Sequence, residues 1–112
     1  DKFALGAYAD DGNLVGFLGV TRQARWKVRH KGVIWGVYVL PEFRGRGIAK
    51  GLLEESLRQA KSLPDLSLLQ LCVATSQSSA LGLYSLFGFE QFGLEPCALR
   101  QDDEFVDELH LY

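Results

Sequence analysis

Arg44-Gly45-Arg46-Gly47-Ile48-Ala49 carries the clearest chemistry in the sequence. It follows an apolar, strand-like run and opens a segment of helical periodicity. Glycines at 45 and 47 bring the backbone unhindered to the first helical turn, whose leading N–H groups have no intrahelical partner. Those donors, with the positive end of the helix dipole behind them, suit a phosphate or pyrophosphate. Two nucleotide motifs fail at named positions. A P-loop needs Lys followed by Ser or Thr after its glycines, and none follows here. The dinucleotide fingerprint needs a small residue where Lys50 stands and an acidic residue closing the next strand, and has neither.

Charge elsewhere offers weaker leads. Asp102, Asp103, Glu104, Asp107 and Glu108 cluster near the end of the chain and would draw a cationic amine, or simply form a polar turn. Arg22, Arg25, Lys27, Arg29 and Lys31 crowd around Trp26 and His30. Such a segment could meet nucleic acid, but the hairpin-like setting and the net charge of −2 favour a solvated loop. His30 and His110 have no ligand spacing with each other or with the cysteines, so no metal site is expected.

Several elements must position these groups. Residues 3–8 and 14–20 read as strands joined by Asp10-Asp11-Gly12-Asn13. Residues 33–39 are apolar on both faces, with Val33, Trp35, Val37 and Val39 against Ile34 and Tyr38, and predict a strand buried on both sides that ends before Pro41. From Gly47 the period becomes helical: Ile48, Leu52, Leu53, Leu57 and Ala60 form the dry stripe, and Lys50, Glu54, Glu55, Arg58 and Lys61 the wet one. Ser62-Leu63-Pro64-Asp65 stops the helix, and 66–74 predict a second strand buried on both faces, giving a right-handed parallel crossover. A short helix over 79–87 follows, with cap residues at 76–79 and Gly88 as its stop. Gly82 costs that helix about 1 kcal/mol relative to Ala, which predicts compensating close packing. Strands over 89–94, broken near Pro96, and 105–112 close the domain across Gln101-Asp102-Asp103-Glu104.

A chain of 112 residues, 47% hydrophobic, fits one soluble domain over 1–112. No apolar run approaches a membrane span and no signal peptide is visible, so no membrane partner is expected. Cys72 and Cys97 read as reduced, structural thiols in a cytoplasmic protein. The sequence begins at Asp1 and contains no Met, which points to a missing N-terminal part.

Arg44, Gly47 and Ala49 match the central motif of the GNAT superfamily of N-acetyltransferases, and Tyr38-Val39-Leu40-Pro41-Glu42-Phe43 resembles that family's strand-to-helix approach. Ala80, Leu83, Tyr84 and Gly88-Phe89 resemble its second cofactor-side helix. The likeness covers about residues 33–89. It implies an α/β (α+β) fold: a mixed, mostly antiparallel central sheet, a parallel βαβ cofactor unit and flanking helices. A family strand and two helices that usually precede the hairpin are not in this sequence. The implied reaction moves an acetyl group from acetyl-CoA, the cosubstrate, directly to a primary amine of a small molecule or protein, without metal or nucleic acid. A homodimer is compatible with this.

The same resemblance implies roles. The amides of Arg44, Gly45, Arg46, Gly47, Ile48 and Ala49 would cradle the CoA pyrophosphate. Val37, Tyr38 and Val39 would pair with the pantetheine arm, an amide near Val39 polarising the thioester carbonyl. Gln77, where the family often has asparagine, and Ala80 would touch that arm, and Tyr84 would protonate the departing thiolate. Many members carry a glutamate as base where this chain has Val33, so deprotonation must use a water chain, a residue of the missing N-terminal part or a carboxylate from the late strands; Glu95, Asp107 and Glu108 are the candidates for that last role or for holding the amine. Losing that glutamate also fits a silent acyl-CoA-binding module.

Overall fold

Strand follows strand through the hairpin Lys2–Tyr8 (β1) and Leu14–Arg22 (β2), then Lys31–Val39 (β3), in the computed structural model, which describes residues 2–112. Asp1, the first residue of the expected domain, lies outside the described residues. Helix α1 (Ile48–Lys61), strand β4 (Leu68–Ala74), helix α2 (Ser78–Leu86) and strands β5 (Gln91–Gln101) and β6 (Glu104–Leu111) complete a mixed α/β fold. Two compact units divide the chain, one running to Leu69 and the other Gln70–Tyr112.

In the first unit β2 pairs antiparallel with both β1 and β3. The first turn is built as its residues demand: Gly12 adopts φ +87°, and the Asp11 carboxylate accepts from the backbone and side-chain amides of Asn13. β2, rather than β3, is the strand buried along most of its length. Glycines make this possible. A Cβ at Gly16 would sit 3.0 Å from Ile48 Cγ2, so its absence lets α1 lie close on one face of β2. A Cβ at Gly19 would overlap the Trp35 ring, which covers the other face and donates from Nε1 to Thr21 Oγ1 at 2.9 Å. Trp35 and Tyr38 themselves stay exposed, so β3 is not buried on both sides as its composition suggests.

A bulge explains part of that difference. Tyr38 pairs with Phe17 and Trp35 with Gly19, so β3 uses three steps where β2 uses two. Gly36, at φ +66°, absorbs the extra residue. Tyr38 thereby joins the face of Trp35, while Val39 joins that of Ile34, reversing the simple alternation.

Helix α1 buries Leu52, Leu53, Ser56 and Ala60. Ser56 takes the place expected of Leu57, which is half-buried; its hydroxyl donates to the Leu53 carbonyl at 2.8 Å, leaving little polar cost. Arg22 also departs from expectation. It is not in the solvated loop with its basic neighbours but buried at the end of β2, donating to the Pro64 carbonyl at 2.5 Å. Trp26 is 83% exposed, as a loop residue should be. The N–H groups of Ser67 and Leu68 both donate to the His30 carbonyl, which ties the segment after α1 to the residue just before β3.

In the second unit β6 pairs antiparallel with both β4 and β5. β5 continues past Pro96 through a bulge: Glu95 opposes Glu108 and Leu99 opposes Val106, leaving the residues between without partners in register. Cys97 takes φ +53° there, and its N–H is held by the Asp107 carboxylate at 2.9 Å. Two expectations fail in this unit. Cys72 is exposed rather than a core thiol, so β4 is not dry on both faces. Gly82 has open space where its Cβ would lie, so no close packing offsets its cost.

Candidate cofactor and proton-transfer residues

The approach to the turn is ordered by its own residues. Pro41–Phe43 forms one 3₁₀ turn after Leu40, and Arg44 then returns to extended backbone. Arg44 Nε donates to the Val39 carbonyl at 2.9 Å, and its guanidinium lies 5.4 Å from the Tyr38 ring centroid. Arg44 therefore ties the turn to the end of β3. Arg46 stacks 4.9 Å above the Phe43 ring. Both cations stand beside the turn, held by aromatic faces rather than by carboxylates.

Gly45 and Gly47 both adopt φ +79°, a left-handed conformation costly for any residue with a Cβ. Gly47 is the N-cap of α1; the Gly51 N–H closes the first helical turn on its carbonyl at 2.9 Å. No side chain caps the helix and no acidic residue occupies its first turn. The leading amides, including those of Ile48 and Ala49, are thus left for an external acceptor. A Cβ on either glycine would meet nothing within 4 Å, so the space over the turn is open. This is the set of features a pyrophosphate needs.

Val37, Tyr38 and Val39 lie at the end of β3 just after the bulge. The register to β2 is interrupted between Trp35 and Tyr38, in the stretch expected to pair with an extended ligand arm.

In the second unit Gln77 caps α2 by position, without a side-chain hydrogen bond. Its backbone N–H donates to Ala74 and its carbonyl accepts from Leu81. Ala80 is half-buried on the same helix. Tyr84 is 6% exposed and packs edge-on against Phe89, with ring centroids 6.0 Å apart. Its backbone carbonyl accepts from both Phe87 and Phe89, so the Gly88 turn fixes the end of the helix around it. Burial pushes the Tyr84 phenol above its usual pKa of about 10, keeping it protonated.

The acidic candidates separate. Glu95 and Glu108 face each other across β5 and β6, whereas the Asp107 carboxylate is engaged by the Cys97 amide. Two residues that the sequence spacing left aside join the first pair. Cys72 lies directly opposite His110, with Sγ 3.3 Å from Nδ1, and His110 Nε2 is 3.5 Å from a Glu95 carboxylate oxygen. Burial, then the charges of Glu108 and Glu95, push the Cys72 thiol pKa up. Only the strand register, which no local motif encodes, could have brought these four together.

Residues 1–89 match the family model described as acetyltransferase (GNAT) family. Over 101 residues the chain is 26% identical to the L-amino acid N-acetyltransferase AaaT of Escherichia coli, covering 90% of this chain and 62% of that protein. Over 83 residues it is 35% identical to the N-alpha-acetyltransferase RimI of Mycobacterium tuberculosis, covering 74% and 49% respectively. A GNAT-family acetyltransferase structure from Streptococcus pneumoniae superposes with a TM-score of 0.87 at 26% identity, covering 98% of this chain and 65% of that one. The chain thus spans less than two thirds of the length of each of these relatives. With the family model matched over most of its length, and the glycine turn and the Tyr84 helix inside the matched residues, the chain belongs to the GNAT acetyltransferase family.

Proposed function

We propose that residues 1–112 act as one N-acetyltransferase domain that moves the acetyl group of acetyl-CoA directly to a primary amine. The observation that carries this reading is the uncapped, glycine-flanked start of α1, with its open amides and two neighbouring arginines, in a chain of the GNAT family. Bound acetyl-CoA supplies the activated acetyl thioester.

The chain's own residues do the rest. Amides from Arg44 to Ala49 hold the pyrophosphate, the charges of Arg44 and Arg46 adding to the field. Backbone groups of Val37, Tyr38 and Val39, with Gln77 and Ala80, hold the pantetheine arm. Tyr84 keeps a proton on its hydroxyl, as its burial favours, and gives it to the sulfur as the C–S bond breaks and the C–N bond forms. Glu95 and Glu108 attract the cationic acceptor and take up its proton directly or through water. AaaT is named for L-amino acids and RimI for alpha-amines, so the amine of a free amino acid or of a protein N-terminus is the acceptor class to test first.

Neither nucleic acid nor membrane has a part in this reading; among the described residues no helix is long and apolar enough to cross a membrane. The reading places the protein in the cytoplasm and makes a homodimer the assembly to look for.

A second reading, an acyl-CoA-binding module without turnover, is favoured by Val33, which cannot act as a base. Calorimetric titration with acetyl-CoA, CoA and ATP tests what both share: binding of both CoA compounds but not ATP is expected. Thiol release with a panel of amino acids and peptides then divides them. Binding without thiol release from any amine would leave the module, and no binding by folded protein would remove both.

A further inference from the structure

The face of the second unit that carries Cys72 also carries His110, Glu108 and Glu95, contributed by three adjacent strands. Cys72 and His110 are direct cross-strand partners, and Glu108 lies two residues from His110 on the same face of β6. One ligating atom from each of Cys72, Glu108 and His110 falls within 4.8 Å of the others. In a tetrahedral zinc site, sulfur and nitrogen ligands at about 2.3 and 2.0 Å stand roughly 3.5 Å apart. The Cys72 Sγ to His110 Nδ1 distance of 3.3 Å already meets that spacing.

The histidine is oriented as a ligand should be. Its Nδ1 faces the sulfur and its Nε2 faces the Glu95 carboxylate at 3.5 Å. A metal-bound imidazole commonly gives its second N–H to a carboxylate in this way, which fixes the tautomer. Glu95 also stands directly across from Glu108 in the ladder. Like charges facing each other repel, and a cation between the strands would reverse the sign of that interaction. The His110 side chain is 32% exposed and that of Glu95 57%, so an ion can reach the group from solvent.

We propose that Cys72, His110 Nδ1 and Glu108 bind one zinc-class divalent cation, with Glu95 as the positioning partner of His110 and a fourth coordination place open to water. A mixed sulfur, nitrogen and carboxylate set selects zinc or cobalt over magnesium or calcium, which prefer oxygen alone. A bound cation would engage Glu95 and Glu108, the carboxylates given to the acceptor amine above, so the site competes with that role; its test needs no acetyl transfer and would stand if that reading failed.

The test is titration of the whole, reduced chain with cobalt(II), followed in the near ultraviolet, and then displacement by zinc. A saturable thiolate-to-cobalt charge-transfer band with one ion per chain is expected. Cys72→Ser and His110→Ala should abolish it, and Cys97→Ser should leave it. Glu95→Gln should weaken zinc binding about 10–100-fold, the usual loss for an outer partner of a ligating histidine. No band with folded protein, or a band that survives Cys72→Ser, overturns the proposal. Should the Cys72 variant fail to fold, the X-ray absorption fine structure of the zinc-loaded parent chain decides. One sulfur at about 2.3 Å beside nitrogen or oxygen ligands supports the site, and a shell without sulfur refutes it.

Discussion

Replacing Gly47 by Ala separates what the glycine does for the fold from what it does for a ligand. At φ +79° an alanine is strained by about 1–2 kcal/mol, offset in part by about 0.4–1 kcal/mol of entropy lost from the unfolded chain. Its Cβ would meet nothing within 4 Å, so no internal clash adds to this. The net loss is about 1 kcal/mol, a fall in melting midpoint of about 4–8 °C for a domain of this size. Gly51→Ala is the matching control. It also opens onto empty space but lies inside α1, where alanine should gain about 1 kcal/mol. The two variants should therefore move the midpoint in opposite directions by similar amounts. Binding should not follow stability. The Gly47 variant is strained out of the left-handed conformation from which the amides are presented, and losing one hydrogen bond to a charged phosphate costs about 1.5–3 kcal/mol, or roughly 10–150-fold in Kd. Gly51→Ala should keep wild-type affinity. Thermal melts without ligand and calorimetry with acetyl-CoA measure the two effects separately. A Gly47→Ala protein that is folded and binds acetyl-CoA within twofold of the parent would refute the assignment of the turn.

Tyr84→Phe should lower kcat about 10²–10⁴-fold with little change in the acetyl-CoA Kd, as loss of a general acid does; unchanged turnover in a thiol-release assay removes Tyr84 from the chemistry. Because burial raises its pKa, the basic limb of the kcat profile should lie above pH 10 and vanish in Tyr84→Phe. The same shift means the folded state holds this proton more tightly than the unfolded one, so the contribution to stability is full below about pH 10 and is lost as pH rises past it; a limb centred well below 10 would assign it to another group. Leu53→Ala, at a side chain 1% exposed, should cost about 2–5 kcal/mol by denaturant titration, and a cost under 1 kcal/mol would mean α1 is not packed as described. Gly82→Ala should raise the melting midpoint, since the position is helical and faces open space.

The sequence was legible where local chemistry sufficed. Period alone finds α1 and its buried Leu52, Leu53 and Ala60, and Gly45 and Gly47 announce the turn because few other residues tolerate its conformation. It was misleading where polarity or parity depends on a partner. Ser56 falls outside the apolar stripe read from the sequence but is buried, its hydroxyl turning back to the Leu53 carbonyl. Gly36 reads as one more strand residue, yet its bulge exchanges the faces of Tyr38 and Val39. Cys72 and His110 are 38 residues apart and become neighbours only through the antiparallel register of β4 and β6. Arg22, grouped by composition with a loop, is claimed by the Pro64 carbonyl on a distant turn.

The aromatic cover over Gly19 has a spectroscopic consequence. Both tryptophans of the chain, Trp26 and Trp35, lie in the first unit, so light absorbed selectively by indole leaves the second unit dark. Trp26 is 83% exposed, while Trp35 is 45% exposed, hydrogen-bonded to Thr21 and lying over Gly19, so iodide should reach both and quench Trp26 more strongly. The emission of Trp35, which packs across Gly19 of β2, is thus a built-in gauge of whether β2 and β3 are still paired. Circular dichroism follows the helices and strands of both units, so a lag between the two signals on heating would reveal which unit lets go first.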